Sequence, residues 1–158
     1  MQNVVGNLRM NETLNKIEDI FSIFHDGIIT QWKSIENGIE LTIECEYLAE
    51  LIDSEFTKFY VELNKISELE LEPWMNPIEL PKEIKKSPTE IFKAELEILS
   101  AKTENGIVEV TCNQHNLKFN YCGGILKIIA EKVTVKSENN AELNISELNE
   151  ISNSYWNR

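Results

Sequence analysis

The chain has 158 residues, with 27 acidic and 15 basic side chains and a net charge of −12. Phosphate backbones and anionic lipid surfaces are held by clustered Lys and Arg, so this balance argues against nucleic-acid binding and against membrane association. A hydrophobic fraction of 42%, with only 6 Gly and 4 Pro, is enough for one folded domain with a real core.

The first segment reads as a helix. Leu14, Ile17, Phe21 and Phe24 recur at three- and four-residue steps, with Ile20 widening the stripe, Asn11 as the expected N-cap and Gly27 as the expected stop. The pattern then changes to period two. Residues 28–35 read as a strand, and Glu36-Asn37-Gly38 as a type I′ hairpin turn, because Asn-Gly tolerates positive φ. Ile39, Leu41, Ile43, Cys45 and Tyr47 alternate with Glu40, Thr42, Glu44 and Glu46, which predicts a half-buried strand running to Tyr47. Phe59-x-Val61-x-Leu63 predicts a further strand. Leu69 and Leu71 between Glu68, Glu70 and Glu72 predict another, ended by Pro73.

All four prolines (Pro73, Pro77, Pro81 and Pro88) fall in residues 73–88, which therefore form a join rather than a central strand. Ser87-Pro88-Thr89-Glu90 is a capping-box pattern for a short helix. A second β region follows: Ala94-x-Leu96-x-Ile98, an Asn105-Gly106 turn, then Val108, Val110 and Cys112 in alternation. A turn at Asn113–Asn116 leads to Leu117, Phe119 and Tyr121, a Gly123-Gly124 turn, and a long apolar strand over 125–135. Ile145, Leu148, Ile151 and Tyr155 have helical spacing, capped by Asn144 or Ser146.

The two Glu-Asn-Gly-Ile hairpins echo one another, and deleting Glu40 aligns the strands that follow. One residue flips strand faces, so a bulge would have to absorb the difference. The expected fold is α+β: a mostly antiparallel sheet or sandwich of two related four-strand modules with N- and C-terminal helices, in one domain. Residues 1–72 hold the first helix and an acidic β module, 73–88 the join, and 89–158 the second module and last helix. The predicted core includes Leu14, Phe21, Phe24, Trp32, Leu41, Ile43, Phe59, Val61, Leu69, Val110, Phe119, Ile128, Val133 and Leu148.

Four features are candidates for chemistry. His25-Asp26 pairs a base with a carboxylate that could orient it, against the simpler reading of a helix-to-strand turn. Cys112, His115 and Cys122 have a spacing zinc could use, with Cys45 as a possible fourth ligand. Against this, Cys112 and Cys45 share the parity of apolar neighbours, where thiols behave as small hydrophobes. Trp32, Trp74 and Trp156 are candidate interface anchors or core rim. The acidic ladders Glu40, Glu44, Glu46 and Glu68, Glu70, Glu72 are either a solvated face or a docking surface for a basic protein. Residues 36–72 carry eleven acidic groups against Lys58 and Lys65, a net of −9, while the remainder is nearly balanced. These six glutamates are therefore the predicted partner-binding residues. No catalytic residue, metal ligand or cofactor is expected.

Phe24-His25-Asp26-Gly27-x-Ile29 and Leu126-x-Ile128-x-Ala130-x-x-Val133-x-Val135 resemble stretches of small acidic bacterial proteins of immunity-protein-like type. That resemblance implies a compact β-rich protein that neutralises a toxin by binding it, with no catalytic residues to transfer. The abundance of Asn, Ile, Lys and Glu fits an AT-rich bacterial genome. The functional expectation is a non-enzymatic immunity or antitoxin-type binding protein, monomeric or a small homo-oligomer. The alternatives are a small-ligand or metal-binding protein centred on His25/Asp26 or Cys112/His115, and a structural or assembly subunit. Three cysteines do not make a disulfide framework. Residues 1–7 are too short and uncharged for a signal peptide, and no apolar run is long enough for a membrane span. A reducing cytoplasm is expected.

Overall fold

The computed structural model describes residues 4–157, with side chains from residue 8; Met1–Asn3, at the start of the stretch weighed as a signal peptide, lie outside it. The architecture is α+β: seven antiparallel strands in one sheet, with helices at both ends of the chain. The elements run α1 (Val4–Ile23), β1 (Ile28–Ile35), β2 (Gly38–Glu44), α2 (Glu46–Ala49), β3 (Lys58–Met75) and α3 (Pro88–Ile91). They continue with β4 (Leu96–Glu104), β5 (Ile107–Asn113), β6 (Tyr121–Ser137), β7 (Glu142–Leu143) and α4 (Ile145–Trp156). The sheet order is β3-β2-β1-β4-β5-β6-β7, and β3 also pairs with β6, which closes β1–β6 into a ring. The ring is uneven: β3 and β6 pair from Phe59↔Ser137 to Met75↔Tyr121, whereas β1 and β4 meet only at Ile28↔Glu97 and Ile29↔Leu96.

The ring consists of two three-stranded modules, not two of four. The stretches around Phe59–Leu63 and Leu69–Leu71 belong to one strand, because no turn separates them. Lys65, at φ 51°, and a bulge between Ile66 and Glu68 bend the strand without breaking it. Pro73 lies inside β3, opposite Gly124, at a second irregularity, and does not end the strand. Gly123-Gly124 likewise lies inside β6. A Cβ at Gly124 would sit 2.5 Å from the Glu72 carbonyl oxygen, and one at Gly123 would sit 2.3 Å from that of Cys112. These glycines let three strands approach; they do not form a turn.

The internal echo is real, but its register differs from the Glu40-deleted alignment. In the first hairpin Ile35 pairs with Gly38, so the loop is Glu36-Asn37; in the second Glu104 pairs with Ile107, so the loop is Asn105-Gly106. The hairpins superimpose without a gap at a shift of 69 residues. Ile29↔Ile43 becomes Ile98↔Cys112, Lys33↔Glu40 becomes Lys102↔Glu109, and the bulge before Gln31 becomes the bulge before Ser100. Only the second loop has positive φ at both positions, as type I′ requires (Asn105 55°, Gly106 76°); in the first, Asn37 alone is positive at 62°.

Two helix expectations change, and two hold. Asn11 lies in the middle of α1 rather than at its cap. β2 ends at Glu44, and Glu46–Ala49 form a helical turn where continued strand alternation to Tyr47 was expected. Ser87 caps the single turn of α3 by accepting from the Glu90 amide at 3.2 Å, and α4 has a full capping box between Asn144 and Glu147.

Helix α1 buries Leu14, Ile17, Ile20 and Phe21 against β4, β5 and β6, and Phe24 is buried just past its end. Opposing strands supply Leu41, Ile43, Phe59, Val61, Leu63, Val110, Leu126 and Ile128, and Phe24 meets Phe59 at 4.8 Å between ring centroids. Of the predicted core, Trp32, Leu69, Phe119 and Val133 are only half-buried and pack around its edge. Among the described residues, no helix is long and apolar enough to cross a membrane.

Candidate functional site

The acidic residues separate into two populations. On the outer face, charge rows cross the strands. Lys33 on β1 meets Glu40 on β2 at 3.4 Å, and Lys136 on β6 meets Glu62 on β3 at 2.7 Å, with Glu40 and Glu62 paired in register. The second module repeats the Lys33–Glu40 pair, with Lys102 meeting Glu109 at 3.9 Å, and Lys127 on β6 also meets Glu72 on β3 at 3.3 Å. Glu72 also binds Lys82 of the join at 3.0 Å, and these two ammonium contacts hold its carboxyl below the usual range. Glu40 is 8% exposed. Glu40 and Glu72, two of the six predicted partner residues, are therefore engaged within the fold.

Glu68 and Glu70 lie just past the β3 bulge, in a cleft of about 440 Å³ with Ile39, Ile66 and Lys86. The Glu68 carboxyl beside it raises the Glu70 pKa, because two neighbouring carboxyls favour holding a proton between them.

Glu44 and Glu46 are placed differently. Glu46 is on α2 and does not share the β2 face with Glu40 and Glu44. Glu44 and Glu46 instead line a shallow cup of about 390 Å³ with Asp26, Cys45, Tyr47 and Glu50. Asp26, at φ 67°, turns the chain from α1 into β1. Its amide donates to the Ile98 carbonyl at 2.7 Å, and the Ile98 amide donates to the Gly27 carbonyl at 2.8 Å. Among the described residues, none of Asp26, Glu44, Glu46 and Glu50 makes an ion pair.

Aromatic side chains stand beside this cup. The Tyr47 hydroxyl donates to the His25 carbonyl at 2.6 Å, and burial together with nearby acidic groups raises its pKa. The His25 Nδ1 donates to the Ser22 carbonyl at 2.9 Å, and the ring stacks on Trp156 at 5.2 Å between centroids. Tyr155 meets Tyr47 at 4.7 Å. Trp156 is 55% exposed at the end of α4. His25 thus spends its ring on a helix carbonyl and an indole, with no hydrogen bond to the Asp26 carboxylate among the described residues. Trp32 and Trp74, the other candidate anchors, are half-buried.

Cys112, His115 and Cys122 are not brought together. Cys112 is fully buried on the inner side of β5, and burial pushes its thiol up to about 12. Cys122 is exposed, with its thiol against the Trp74 carbonyl. Cys45 is buried under the cup and pushed up to about 11. His115 instead binds Glu97: its Nε2 lies 2.9 Å from Glu97 Oε1, which also accepts from Asn113 Nδ2 at 3.4 Å. Both contacts hold the Glu97 carboxyl below its ordinary range, His115 the more strongly. This pair stands at the β1–β4 seam, beside a cleft of about 480 Å³. Sequence reasoning missed it because Glu97 and His115 are neighbours only once the β4–β5 bulge and register are known. The helical turn at Glu46–Ala49 had a readable signal in Leu48, Ala49 and Ile52, whose spacing is helical.

Compared with known protein families, with curated proteins and with solved structures, the chain matches none. What the structure defines is an architecture: a pseudo-symmetric antiparallel ring of six strands, with helix α1 against it, α4 against α1 and α2, and an acidic, aromatic-edged cup at one end.

Proposed function

We propose that the chain is a non-enzymatic protein-binding module of bacterial immunity or antitoxin type that neutralises a basic protein through the acidic end of its first β module. One observation carries this reading: Asp26, Glu44, Glu46 and Glu50 surround Tyr47 without a lysine or arginine among the described residues, next to an exposed tryptophan. On the paired strands Glu40, Glu62, Glu72 and Glu109 each meet a lysine, whereas these four carboxylates meet none among the described residues, and a cluster of uncompensated charge favours an opposite charge from outside. Tyr and Trp are the side chains that most often anchor protein interfaces, because they bury a large rigid surface and keep a polar atom. Glu68 and Glu70 form a second acidic patch, but with Lys86 in the same cleft.

The test is capture from the native lysate followed by binding kinetics. The wild-type chain should retain a basic protein with an on-rate that falls as salt rises. The triple variant Glu44→Lys, Glu46→Lys, Glu50→Lys should lose it, while the double variant Glu68→Lys, Glu70→Lys should weaken it less. A partner bound by the triple variant at the wild-type rate overturns the reading.

A further inference from the structure

We propose that the cleft at the β1–β4 seam is a receptor for a guanidinium group, the place where an arginine side chain of the basic partner is held; this rests on the reading above and gives it a second contact point. The cleft opens because β1 and β4 pair through only two residues before they diverge. Ile28, Phe92 and Ala94 give it an apolar floor suited to the methylene stem of a long side chain. Its polar lining offers hydrogen-bond acceptors. Glu97 accepts from His115 and Asn113 through Oε1, and Oε2 takes no bond among the described residues. Glu95 is exposed at the rim and makes no ion pair among them. Lys93, the lysine among the described lining residues, has its ammonium over the Phe119 ring at 5.7 Å. A planar group with five donors and a positive charge fits such a set; a point-like ammonium uses fewer of the acceptors, and an anion is repelled.

The strand register joins this cleft to the acidic cup. Ile28 pairs with Glu44 on one side and Glu97 on the other, and Glu97 pairs with Asn113. Residues paired in this way share a face, so Glu44 and Glu97 lie two strands apart on one surface, roughly 10 Å by the usual strand spacing. A single basic segment can span both.

The test uses two probes on isotope-labelled protein followed by amide NMR: N-acetyl-arginine methylamide and a hexa-arginine peptide. The arginine amide should give saturable shifts at Ala94–Glu97 and His115–Asn116. N-acetyl-norleucine methylamide, which keeps a similar stem without the charge, should give none. Glu95→Gln, at an exposed position, should weaken the arginine amide at least threefold with the rest of the spectrum unchanged, and Glu97→Gln should weaken it further. Equal shifts from the norleucine amide, or no effect of either variant, overturn the proposal. If hexa-arginine shifts Glu44–Glu50 while neither probe touches Glu95–Glu97, the seam receptor is wrong and the acidic cup stands. If neither probe shifts any amide, both fail.

Discussion

Gly38 and Gly106 end the same Asn-Gly dipeptide, yet replacing each with alanine should have very different consequences. A Cβ at Gly38 would lie 1.9 Å from the Leu63 carbonyl oxygen and 3.0 Å from the Asn64 Cα. Both atoms are backbone, so relief requires β2 and β3 to separate by more than 1 Å at the Gly38↔Asn64 pair. That loses about two ladder hydrogen bonds worth ~1 kcal/mol each and adds ~1–3 kcal/mol of overpacking. Alanine's lower chain entropy returns ~0.5–1 kcal/mol. The net cost of Gly38→Ala is about 3 kcal/mol, or ~6–12 °C in Tm for a domain of this size. At Gly106 a Cβ meets nothing within 4 Å, and only the positive φ of 76° is at issue. Gly106→Ala should therefore cost ~1–2 kcal/mol, and Gly106→Asn less, since Asn37 holds the equivalent loop position at φ 62°. Urea denaturation of the three variants, compared by midpoint at constant slope, measures this. Equal losses for Gly38→Ala and Gly106→Ala would show that the two glycines play one role, as the dipeptide alone suggests, and would refute the one-residue offset between the hairpins.

Glu72 has a depressed folded pKa because Lys82 and Lys127 bind its charged form. Its contribution is present above the unfolded value near 4.5 and is lost as pH falls through the folded value, so Glu72→Gln should flatten the stability profile below about pH 4.5. Glu70 has the opposite sign: its raised pKa makes the charged form unfavourable in the fold, so Glu70→Gln should stabilise the protein at pH 7 and lose that advantage in acid. In a thiol-labelling assay, exposed Cys122 should react in the native state, and buried Cys45 and Cys112 only on unfolding. Tyr47→Phe removes the bond to the His25 carbonyl and should cost about 1 kcal/mol in denaturation.

Local pattern carried the strands and failed where long-range geometry decides. The alternation in Ile39–Ile43 and Val108–Cys112 marks two half-buried strands because period two is a local property. Gly123-Gly124 reads as a turn for an equally local reason, and only the crossing of β3, β5 and β6 at that point explains glycine within a strand. Glu46 follows the parity of Glu44 in the sequence, yet Cys45 starts a helical turn that carries Glu46 off the strand. The candidate site was half legible. Acidic density pointed to the first module, but which carboxylates remain free depends on lysines that arrive from elsewhere in the chain.

Those lysines give the charge asymmetry its meaning. The first module is not acidic for lack of cations nearby. β6 delivers Lys136 to Glu62 and Lys127 to Glu72, and the join delivers Lys82 to Glu72. The second module thus neutralises the first along the β3–β6 ribbon, where the two halves of the ring are stitched together. A uniform excess of acid would need only solvent to balance it. Here the compensation is selective: it covers Glu40, Glu62 and Glu72 and leaves Asp26, Glu44, Glu46 and Glu50 unpaired around α2 among the described residues. Like charges held that close oppose folding. They stand beside Trp156, which is also exposed, and on the reading proposed above an external basic protein covers both the free charge and the aromatic surface.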